Sequence, residues 1–82
     1  MIHTLYMTTT LDSIQTPETT DCATRIEWAG ERLADLADGT LPMDAAHILV
    51  AYLMGWADIS TEDEMRQYFT IAGRIDAMAR AA

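Results

Sequence analysis

The chain has 82 residues, half of them hydrophobic, and 13 acidic against 5 basic side chains give a net charge of −8. A chain of this size builds one core, and the composition excludes a disordered or low-complexity protein. A single cysteine excludes an internal disulfide, and the acidic balance excludes a basic nucleic-acid-binding domain.

Residues 1–16 differ from the rest. β-Branched and aromatic residues alternate at Ile2, Thr4, Tyr6, Thr8 and Thr10, which predicts an extended N-terminal arm. Met7 is a second candidate start. No basic residue precedes a long apolar run, so no secretory signal is expected. The longest apolar stretch, residues 48–54, is far too short to span a bilayer. With one free cysteine, these features place the expected protein in the cytoplasm.

Thr16-Pro17-Glu18 reads as a helix start: Thr can cap, Pro fits the first helical position, and Glu suits the positive end of the dipole. Cys22, Ile26, Ala29, Leu33 and Leu36 then recur at steps of four and three, a one-sided stripe. The pattern predicts a helix over residues 17–38, closed by Gly39 in the left-handed conformation. A second helix is predicted over residues 42–57. Only His47 and Gly55 interrupt its apolar residues, so it reads as a helix buried all round. Two neighbours cannot cover such a cylinder, so either the N-terminal arm or a second copy of the chain must complete it; a homodimer through Leu49, Tyr52, Leu53 and Trp56 is the favoured expectation. A third helix is predicted over residues 61–80, capped by Ser60 with Asp63 or Thr61 with Glu64. Its expected inward stripe is Met65, Tyr68, Phe69, Ala72, Ile75 and Ala79. The fold class is therefore all-α: an arm over residues 1–16, then a small three-helix bundle over residues 17–82, with connections short enough for neighbouring helices to pack antiparallel.

Candidate chemistry is sparse. Asp44 and His47 stand one turn apart, as in helical di-metal sites, but no second such pair exists, and Cys22, His3 and His47 lack a zinc-ligand spacing. No metal and no cofactor is expected. Cys22 lies near a helix start, where a thiolate is stabilised, yet it shares the stripe of Ile26 and Leu33 and reads as an inert buried thiol. Gly30, Gly55 and Gly73 form no phosphate loop and read as close-approach positions between helices. Arg25 and Arg32, two turns apart, could hold an anion, but Asp21 and Asp35 stand beside them as surface partners. The second and third helices superficially resemble a helix-turn-helix. Its recognition helix would present Glu62, Asp63 and Glu64 to phosphates, which argues against direct nucleic-acid contact.

Trp28 stands apart. On a helical wheel it lies nearly opposite Ile26 and Leu33, among Asp21, Thr24, Glu31 and Asp35. Either the arm (Leu5, Tyr6, Leu11, Ile14) folds over it or an arginine stacks on it, or it is an exposed anchor rimmed by carboxylates. No catalytic set emerges, so the chain is not expected to be an enzyme. The functional expectation is an acidic interaction module, an inhibitor or regulator docking on the basic surface of a protein partner through Trp28, Glu27, Glu31, Asp35, Glu62, Asp63 and Glu64. Antitoxin-like and phage counter-defence proteins work in this physical manner, some by imitating nucleic-acid charge. The alternatives are a homo-oligomeric structural or adaptor protein and, behind it, a small metal- or anion-binding helical enzyme. No membrane partner is expected.

Overall fold

A computed structural model describes residues 14–81. The arm predicted over residues 1–16 lies almost entirely outside them. The described residues form a compact all-helical fold of three helices with no strand: α1 (Cys22–Asp38), α2 (Ala45–Asp58) and α3 (Glu62–Ala81).

α1 begins five residues later than the Thr16-Pro17-Glu18 signal predicts. Its cap is Asp21, whose carboxylate accepts the Thr24 backbone N–H at 2.9 Å and the Thr24 hydroxyl at 2.7 Å. The Thr19 hydroxyl oxygen accepts the Asp21 N–H at 3.0 Å. The reason lies upstream. Ile14 is buried in the core, and the Gln15 carbonyl accepts the Trp28 indole N–H at 2.9 Å. These contacts tie the chain before α1 to the bundle, and the Asp21 cap starts the helix at Cys22. At the other end Gly39 adopts φ 84°, as expected, and the Leu41 N–H reaches back to the Asp35 carbonyl at 3.1 Å.

α2 starts at Ala45 rather than residue 42. Tight turns precede it, with the Pro42 and Met43 carbonyls accepting from Ala45 and Ala46. It is not buried all round. Ala45, Ala46, Ile48, Leu49, Leu53 and Ala57 are buried, while His47, Ala51, Met54, Gly55 and Asp58 form a stripe open to solvent. Ala51 and Gly55 expose little apolar area, so a single chain tolerates this stripe without a covering element. Leu49 and Leu53, expected at an oligomer interface, are fully enclosed within the one chain and belong to its core.

Of the two capping pairs the sequence offers, α3 opens on the second: the Thr61 N–H donates to Glu64 Oε1 at 3.2 Å, and the Glu64 N–H donates to Thr61 Oγ1 at 3.3 Å, while the Ser60 hydroxyl donates to the Trp56 carbonyl. α3 packs chiefly against α2 and also against α1. Trp56 meets Tyr68, whereas Val50 and Asp76 line one groove, so α2 and α3 run antiparallel. Tyr68, Leu49, Leu53 and Ile75 are the largest fully enclosed side chains, and no charged residue is buried among the described residues. Ile71 takes an inward place, while Phe69, expected there, is 43% exposed. Tyr68, Ile71, Ala72 and Ile75 define the buried arc of α3, and Phe69, about 100° round the helix from Tyr68 on the side away from Ile71, falls at its edge. Gly30, Gly55 and Gly73 do not mark close approaches, since a Cβ at each would meet nothing within 4 Å.

Candidate interaction surface

Trp28 is only 8% exposed, so it presents no exposed anchor. Its ring stands edge-on to Tyr52 and Trp56, at centroid distances of 6.4 and 5.7 Å. Tyr52 and Trp56 are stacked at 5.9 Å, and Tyr68 lies 6.0 Å from Trp56. This aromatic wedge joins α1 to α2 and α3. Arg25 caps it, with Cζ 4.4 Å from the Trp56 ring centroid, a cation–π distance. Arg25 thus stacks on Trp56, and the Asp21–Arg25 pair expected from sequence does not form, because Asp21 is held by Thr24. Arg25 Nη1 makes a long 3.5 Å contact to the Tyr68 hydroxyl, and its enclosed Nε finds no acceptor among the described residues. Burial raises the Tyr68 phenol above its ordinary pKa; the Arg25 hydrogen bond opposes that rise and the adjacent Cys22 adds to it. Cys22 itself is a buried free thiol.

The carboxylates divide into local structure and free surface. Glu64 serves the α3 cap. Glu62 and Asp63 each stand 3.5 Å from Arg66. Asp35 pairs with Arg32 at 2.9 Å, with Glu31 more distant at 3.8 Å. Asp76 and Arg80 form the expected one-turn pair at 2.8 Å. Glu27 is exposed and makes no ion pair among the described residues. The spacing of Glu27, Glu31, Asp35 and Asp38 puts all four on the side of α1 opposite Ala29 and Leu33, over about 16 Å of helix. The Asp38 carboxyl is held below its ordinary pKa by hydrogen bonding to the Thr40 side chain and backbone N–H, and Asp21 likewise by Thr24, so both are ionised at neutral pH. Glu27, Glu31, Asp35 and Asp38 lie along α1, whereas Glu62, Asp63 and Glu64 are engaged by Arg66 and Thr61 at the start of α3.

Two open grooves complete the surface. One, between α1 and α3, is lined by Ile26, Arg66, Gln67, Thr70, Ile71 and Arg74. The other, between α2 and α3, is lined by Val50, Met54, Phe69, Ala72, Gly73 and Asp76. Sequence reasoning missed both. The spacing of Arg66, Thr70 and Arg74, four residues apart on one side of α3, was the available signal for the first. Among the described residues no group of three His, Cys, Asp or Glu side chains could hold a metal ion, and no helix is long and apolar enough to cross a membrane. Comparison with known proteins finds no matching family model, no matching curated protein and no matching solved structure.

Proposed function

We propose that the chain is an acidic helical interaction module, an inhibitor or regulator that docks on the basic surface of a protein partner rather than an enzyme. The observation that carries this reading is the outward stripe of Glu27, Glu31, Asp35 and Asp38 on α1, in a chain with a net charge of −8. Of its members, Glu27 has no cationic partner among the described residues and Glu31 only a distant one. A row of like charges on a rigid element steers a basic partner and fixes register. Trp28 acts beneath this surface, holding α1 in place through the aromatic wedge.

The test compares two charge reversals of equal size. Glu27→Arg with Glu31→Arg alters the stripe; Asp44→Arg with Asp58→Arg alters exposed carboxylates on and beside α2. Each reversal adds two charges, so both variants go from −8 to −4. Proteins captured from cells by the native chain should be lost with the first variant and retained by the second. Equal behaviour of the two variants contradicts docking through the stripe.

A homo-oligomeric role is the second reading. Met54 and Phe69, 45% and 43% exposed, flank the α2–α3 groove and favour it. Sedimentation showing a single-chain mass at micromolar concentration removes it.

A further inference from the structure

We infer that the groove between α1 and α3 binds a small organic anion, a phosphate ester or carboxylate carrying a short apolar body. This inference is independent of the docking role of the α1 stripe. Arg66, Thr70 and Arg74 follow one another at one-turn spacing along α3, each step about 6 Å, with Gln67 beside them and half-buried Ile26 and buried Ile71 completing the lining. The groove is open to solvent and offers about 300 Å³, the lower end of the range of small-molecule sites. Its make-up, two guanidinium groups beside aliphatic side chains, suits an anionic head and an apolar body together.

The state of the arginines supports the assignment. Arg32 and Arg80 are held by carboxylates at 2.9 and 2.8 Å, and Arg25 lies on Trp56. Arg74 makes no ion pair among the described residues, although the chain carries 13 carboxylate side chains. Arg66 is held by Glu62 and Asp63 only at 3.5 Å, through exposed groups. Such pairs are weak, and a bidentate anion can displace them. The Thr70 hydroxyl donates to the Arg66 carbonyl at 2.8 Å, so Gln67 is the neutral donor left for the ligand. The overall negative field opposes an approaching anion but is screened beyond about 8 Å at physiological ionic strength; within that distance Glu62 and Asp63 stand beside Arg66, so Arg74, with no ion pair among the described residues, is the groove's principal anion-binding group.

The test is an amide NMR titration of the full chain at fixed ionic strength with phenyl phosphate, phenylacetate and inorganic phosphate. Saturable shifts at residue 26 and across residues 66–74 with either aromatic probe are expected, and the probe that saturates names the head group. The aromatic anion should bind at least about tenfold more tightly than inorganic phosphate, reflecting burial of its ring. Arg74→Gln, an exposed change that leaves the core intact, should weaken binding about tenfold or more. Non-saturating shifts with both aromatic probes, affinity equal to that of inorganic phosphate, or unchanged binding by Arg74→Gln overturns the site. None of these outcomes depends on the Glu27 and Glu31 reversals.

Discussion

Replacing Trp28 with alanine probes the contact that joins the segment before α1 to the bundle. The indole is 8% exposed, meets two aromatic edges at 6.4 and 5.7 Å, and donates one 2.9 Å hydrogen bond to Gln15. Truncating a buried tryptophan costs about 3–5 kcal/mol. Of this, each edge-on aromatic contact accounts for about 0.5–1.5 kcal/mol beyond area burial, and the hydrogen bond for about 1 kcal/mol. Gln15 is exposed, so water can take over its carbonyl and soften that last loss. A domain of this size has roughly 4–12 kcal/mol of total stability, so the variant sits near its folding limit. Urea unfolding followed by circular dichroism measures the difference. Trp28→Phe, which keeps much of the ring but loses the N–H, should cost only about 1–2 kcal/mol. An alanine variant within about 1 kcal/mol of the native chain would refute the wedge as a structural element.

Other substitutions separate the helix-end arguments. Gly39→Ala places a Cβ at φ 84° and should lower stability by about 1–2 kcal/mol, whereas Gly55→Ala, in an open helical position, should raise it by about 0.5–1 kcal/mol; melts of the two should move in opposite directions. Thr61→Ala removes one half of the α3 cap and should cost about 1 kcal/mol by urea titration. The folded-state pKa values of Asp21 and Asp38 lie below 3.8 because their ionised forms accept hydrogen bonds from Thr24 and Thr40. Their stabilisation is therefore complete well above pH 3.8 and drains away as pH falls through the depressed folded values; Asp21→Asn should flatten this acid limb in thermal melts.

Local signals carried much of the fold. The steps from Cys22 to Leu36 located the inner side of α1, Gly39 its end, and Thr61 with Glu64 the start of α3, because each depends on residues within two turns. The start of α1 was hidden because the Gln15 carbonyl reaches Trp28 from thirteen residues away while Ile14 enters the core. That same contact explains why a tryptophan placed opposite the apolar stripe is buried. The open side of α2 was hidden for another reason: Ala51 and Gly55 read as apolar in sequence but expose little when they face water. The charged stripe on α1 was legible from its spacing, whereas the engagement of Glu64 in the cap and of Glu62 and Asp63 with Arg66 required coordinates.

The salt dependence of binding to the captured partner tests the docking reading most directly, measured for the native chain and for Glu27→Arg with Glu31→Arg. Native affinity should fall steeply as ionic strength rises, and the variant should bind weakly with a much shallower slope. Tight binding by both proteins, indifferent to salt, would contradict a function carried by the acidic side of α1.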